Sequence, residues 1–94
     1  MITTKQRAQL RGLAATEDTI LHIGKGGITE NFIKSVNDAL AAREIIKFRV
    51  LESALVHPKT IAAEVAEATD SIVVTVIGSK VVLYKKSEKN LLEI

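Results

Sequence analysis

Three of the chain's five glycines fall within four positions, Gly24-Lys25-Gly26-Gly27, and the residues on either side belong to different kinds of structure. Before them, Thr19 to Ile23 has the β-branched content of a short strand, which ends abruptly at Gly24. After them, Thr29 is placed to cap a helix from Glu30 to about Ala42, with Phe32, Ile33, Val36, Ala39 and Leu40 recurring at helical spacing. The segment is a strand-to-helix corner, and such a corner commits the chain to a sheet with a helix laid on it. Glycine lets the main chain turn tightly and come close to another molecule without Cβ obstruction. Amides that face outward there, with the unpaired N–H groups at the start of the next helix, favour an anion. Lys25 adds a mobile cation.

The other segments supply the rest of that sheet. Thr3 followed by Gln6 fits a reciprocal capping box, which predicts a helix from about Thr4 to Ala14 with Leu10, Leu13 and Ala14 as its apolar stripe. Arg7 and Arg11, four apart, lie together at the stripe's edge. Ile45 to Val50 alternates, so Ile46, Phe48 and Val50 point one way while Ile45, Lys47 and Arg49 point the other. Pro58 opens a third helix to about Thr69, buried through Ile61, Ala62, Val65 and Ala66, with Glu64, Glu67 and Asp70 making its neighbourhood acidic. Ile72 to Ile77 and Val81 to Tyr84 are apolar on both faces, which predicts covered or central strands. Gly78-Ser79 between them suits a type II′ hairpin turn. The resulting fold class is α/β: a helix followed by a βαβαββ core, with a mixed four-stranded sheet packed with helices. Parallel pairing is expected wherever crossover-linked strands are neighbours.

At 94 residues the chain holds one core, so residues 1–94 are expected to form a single domain, with 87–94 as a loose C-terminal tail. Having no Cys, it has neither disulfides nor thiolate chemistry, and a reducing compartment is expected. Its apolar runs are too short for a membrane helix, and the first residues, Thr3-Thr4-Lys5-Gln6-Arg7, contain no secretory h-region. A cytoplasmic protein with no membrane partner is expected. His22 and His57 are far apart in sequence and lack a carboxylate pattern for a triad or a metal site, and Glu44 and Glu52 have no evident acid–base partner. The expectation is therefore no catalytic residue, no metal, no cofactor and no small-molecule substrate: not an enzyme. Neither dinucleotide G-x-G-x-x-G nor G-x-x-x-x-G-K-[ST] can be completed around the glycines.

Taken in order, Leu10-Arg11-Gly12-Leu13-Ala14, Ile23-Gly24-Lys25-Gly26-Gly27-Ile28-Thr29, Ile45-Ile46-Lys47, Val76-Ile77-Gly78 and Val82-Leu83-Tyr84 closely resemble the YhbY-type CRM domain (chloroplast RNA splicing and ribosome maturation). The resemblance covers nearly the whole chain. It implies a fold similar to the C-terminal domain of bacterial translation initiation factor 3, and a G-x-x-G loop like the KH loop that clamps a nucleotide backbone. It further implies an RNA partner, large-subunit ribosomal RNA or a pre-ribosomal particle, and a role in ribosome assembly. Two stretches depart from the family pattern: Ala15 to Asp18 is short and acidic, and Arg43-Glu44 stands where members tend to have His-Glu.

The resemblance places the loop on Gly24, Lys25, Gly26 and Gly27 and a basic strand on Lys47 and Arg49. With Thr29 at the helix start and Arg7 and Arg11 on the first helix, these are the candidate RNA-binding residues. Only Phe32, Phe48 and Tyr84 are aromatic, and Phe32 and Phe48 are needed inside. Backbone contact is therefore favoured over base stacking. A net charge of +2 suits an anionic partner, and it equally suits the rival reading, a protein-interaction adaptor docking an acidic partner on its basic face.

Overall fold

The structure is a computed structural model that describes residues 2–86; the expected tail at 87–94 lies outside the described residues. In chain order the elements are α1 (Thr4–Ala14), β1 (Leu21–Ile23), α2 (Glu30–Arg43), β2 (Ile45–Val50), a 3₁₀ turn (Glu52–Ala54), α3 (Pro58–Thr69), β3 (Ile72–Ile77) and β4 (Lys80–Tyr84). The capping box of α1 is formed: Thr3 Oγ1 accepts from the Gln6 amide, and Gln6 Oε1 accepts from the Thr3 amide. Expected and observed bounds agree closely. β1 is shorter than expected, although the Ile20 amide already donates to Lys47 O at 3.1 Å.

The strand order is β1-β2-β4-β3. β1 and β2 pair in parallel, as a helical crossover requires, while β4 is antiparallel to both β2 and β3. The hairpin strand β4 thus inserts between β2 and β3, and these two, though joined by a crossover through α3, are not neighbours. β4 is central, with Val81 to Tyr84 all buried. β3 lies at the edge, contrary to what its two apolar faces suggest. Gly78 has φ +58° and Ser79 has no positive φ, as a type II′ turn requires.

Two apolar clusters flank the sheet. On one face, Ile46, Phe48 and Val50 pack with Phe32, Val36 and Leu40 of α2 and Ile61, Ala62 and Val65 of α3. The Phe32 and Phe48 rings meet edge to face, 5.4 Å between centroids. On the other face, Leu10 and Ala14 of α1 cover Ile45, Val74, Val82 and Tyr84. Leu13 belongs to neither cluster and is 41% exposed, a correction to the expected stripe. The cause is angular: Leu10 and Ala14, four apart, share the line of α1 that faces the sheet, and Leu13 is set to one side of it, about 100° around the helix from Ala14.

β3 contains a bulge. Val73 pairs with Leu83 and Thr75 with Val82, leaving Val74 as the extra residue. Arg7 fills the gap in the ladder, its Nη1 donating to Val73 O and Val74 O at 2.7 and 2.6 Å. Lys47 Nζ donates to Ala14 O at 3.1 Å and so satisfies a carbonyl at the C-terminal end of α1.

Candidate nucleic-acid interface

The glycine corner, the loop after β2 and the β3–β4 turn gather at one end of the sheet, because β1 and β2 end there and the hairpin reverses there. The Leu51 amide donates to Ile23 O at 2.8 Å, and the Val50 amide donates to Ser79 O at 2.7 Å. These bonds tie the three loops to one another. A 3₁₀ turn within the second loop leads into Leu55, which is left-handed at φ 55° and 92% exposed beside half-open Leu51 and Val56.

Within the corner, the Gly27 amide donates to Gly24 O at 2.9 Å, closing a four-residue turn with Lys25 and Gly26 in the middle. Neither central residue has a positive φ, whereas Gly27 has φ +66°. Each glycine therefore has its own reason. Gly27 occupies a backbone region that costs a side-chain-bearing residue energy. At Gly24 a Cβ would stand 3.2 Å from Ser53 Oγ and 3.5 Å from Leu51 Cδ1. At Gly26 a Cβ would meet nothing within 4 Å, so its smallness serves no internal packing.

Among the described residues, the amides of Lys25 and Gly26 donate to no protein acceptor, and both residues are exposed. Thr29 caps α2, its Oγ1 accepting from the Phe32 amide at 3.0 Å, which leaves the Glu30 and Asn31 amides open as well. The Glu30 carboxylate stands in the first turn of α2 and takes part of the favourable field there. An anion is accordingly best served at the Lys25–Gly26 end of the corner, where two open amides and the Lys25 ammonium coincide.

The remaining candidates separate into two groups. Arg49 is exposed on the sheet, and Arg11 is exposed on α1. Arg7 and Lys47, by contrast, are half-buried and directed at main-chain carbonyls. Sequence spacing put Arg7 with Arg11 at the edge of one stripe and Lys47 with Arg49 on one sheet face, but it carries no sign of the bulge or of the point where α1 ends over the sheet. Phe32, Phe48 and Tyr84 are all buried, so none of these three presents its ring for base stacking. His22 is exposed, and His57 is the N-cap of α3, its Nδ1 accepting from the Lys59 amide at 3.1 Å. No group of three metal-ligating side chains occurs among the described residues, and no helix among them is long and apolar enough to cross a membrane.

One buried acid was not legible in the sequence as such. Glu44 ends α2 with φ 66° and is wholly buried, its carbonyl accepting from the Lys85 amide at 2.8 Å. Burial, seconded by the charge of Glu44, pushes the neighbouring Tyr84 hydroxyl above its ordinary pKa.

The fold is a small α/β domain: a mixed four-stranded sheet with α1 on one face and α2 and α3 on the other. The chain matches the CRS1 / YhbY (CRM) domain over residues 2–85 and belongs to that family. It is 39% identical over 90 residues to the Bacillus subtilis protein named Probable RNA-binding protein YqeI, covering 96% of this chain and 94% of that one. It is 31% identical over 88 residues to a Haemophilus influenzae protein named RNA-binding protein, covering 94% and 89%. The solution structure of the hypothetical protein SAV1595 from Staphylococcus aureus superposes with a TM-score of 0.77 at 45% identity, covering 96% of this chain and 94% of that one.

Proposed function

We propose that this protein is a non-catalytic RNA-binding module that holds a phosphate backbone on the Gly24–Gly27 turn. The observation that carries this reading is the pair of open amides at Lys25 and Gly26, beside the Lys25 ammonium, in a turn closed from behind by Gly27. Relatives of similar length named as RNA-binding proteins support it. Thr29 sets the start of α2 against the turn, and Arg49 and Arg11 extend the positive surface. Arg7 and Lys47 serve it indirectly by fixing α1 to the sheet. The family resemblance points to large-subunit ribosomal RNA or its precursor as target, in the cytoplasm, with assistance to ribosome assembly as the role.

Gly26→Asp combined with Lys25→Ala places a carboxylate where the phosphate sits and removes the cation. Open space at Gly26 means the fold has no reason to suffer. The double variant should leave the ribosomal fractions of a density gradient, behave like ribonuclease-treated wild type, and melt within a few degrees of it. Ribonuclease-sensitive sedimentation equal to wild type, on a folded variant, would overturn the reading.

A further inference from the structure

Because α1 ends at Ala14, half of its sheet face is left bare by the described residues, and the bare half is the one that meets the glycine turn. The strand register shows what stands there. His22 of β1 is opposite Arg49 of β2, Arg49 is opposite Lys80 of β4, and Lys80 is opposite Ile77 of β3. Paired positions share a face, so these four side chains form one row across the whole sheet. All four are exposed, Ile77 by 67%. The row begins two residues before Gly24 and lies directly below the turn.

Arg49 and Lys80 are like charges directly opposite each other in an antiparallel pair, an arrangement that is unfavourable in the absence of a counter-charge. Among the described residues neither forms an ion pair or a side-chain hydrogen bond. Lys47, one step back along β2 on the same face, is already held by Ala14 O. The acids Glu64, Glu67 and Asp70 belong to or follow α3, behind the opposite face of the sheet. A pair of cations with no ion pair among the described residues, beside open amides and with the acids of α3 behind the sheet, fits a continuous polyanion. Glu17 and Asp18 follow the end of α1 on the near side.

We propose that the row is a second phosphate-contact surface of the same RNA: Arg49 and Lys80 take backbone phosphates and His22 supplies an N–H donor. The strand leaves the glycine turn across the bare half-face, over about 10 Å from β1 to β4. This rests on the RNA-binding reading above and adds to it a direction of travel and two residues, His22 and Lys80.

The test is the salt dependence of binding to a fluorescently labelled single-stranded RNA between 50 and 200 mM salt. Contacts by Lys25, Arg49 and Lys80 give a slope of about −2 in log K against log salt, a loss of roughly 20-fold over that range. Lys80→Gln and Arg49→Gln should each flatten the slope by about 0.7, and the double variant by about 1.4. Lys5→Gln, which removes the same charge from the exposed first turn of α1, should leave the slope unchanged. Relief of the facing charges should keep the melting temperature of the Lys80 variant at or above wild type. A wild-type slope for the double variant, with binding abolished by Gly26→Asp, overturns the row and leaves the glycine turn standing. Full binding by Gly26→Asp defeats the turn itself, whatever the row does.

Discussion

Gly26 and Gly27 are adjacent, equally small and required for different reasons, so alanine at each separates folding from binding. Both substitutions lower the entropy of the unfolded chain alike, by an amount that stabilises a protein by about 0.4–1 kcal/mol when the native backbone accepts the new residue. At Gly26 the backbone is not left-handed and a Cβ meets nothing within 4 Å, so Gly26→Ala should gain that amount. At Gly27, φ +66° adds a left-handed penalty of about 1–2 kcal/mol. The unfolded-state gain cancels between the two variants, and the difference between them is the penalty alone. At 4–8 °C per kcal/mol for a domain of this size, Gly26→Ala should melt roughly 4–16 °C above Gly27→Ala. Thermal melts followed by circular dichroism read this directly. RNA affinity measured at 20 °C, well below both transitions, should fall for the more stable variant, whose new methyl stands among the open amides. Equal melting temperatures would refute the assigned backbone roles, and undiminished affinity of Gly26→Ala would refute close approach of a phosphate.

Two further outcomes follow from groups away from the turn. Lys47→Met keeps the aliphatic stem but frees Ala14 O, and should cost about 1 kcal/mol in urea denaturation, below the usual range for a charged donor because the site is half-exposed. Tyr84 holds its proton more tightly folded than unfolded, since its pKa is raised by burial and by Glu44. The unfolded chain therefore loses that proton first, and stability should be intact below pH 10 and decline as pH rises beyond it. Tyr84→Phe should lessen this decline, as measured by urea midpoints from pH 8 to 11.

What could be read from the sequence was what neighbouring residues decide among themselves. Thr3 and Gln6 marked the start of α1, Pro58 the start of α3, alternation the bounds of β2, and Gly78-Ser79 the hairpin. The glycine corner was legible for the same reason, since its geometry is local. Contacts between distant segments were not. Nothing near Val81 announces that β4 will lie between β2 and β3, because strand order depends on which faces α1, α2 and α3 must cover. The extra residue at Val74 leaves no mark in a run of β-branched residues, so the need for Arg7 was invisible. Lys47 and Arg49 alternate identically in sequence, yet one meets the end of a helix and the other solvent, a difference set by where α1 stops.

The bulge in β3 bears on how this chain avoids itself. Ile72-Val73-Val74-Thr75-Val76-Ile77 is an uncharged, strongly β-forming hexapeptide at the rim of the sheet, the kind of segment on which identical molecules stack into fibrils. A straight rim would serve as a template. Here the kink at Val74 breaks the regular spacing that an incoming copy must match, and a guanidinium occupies two of the carbonyls in the segment. The residue that anchors the first helix thus also acts as a gatekeeper, and the cost of losing it would be paid in solubility as well as in stability.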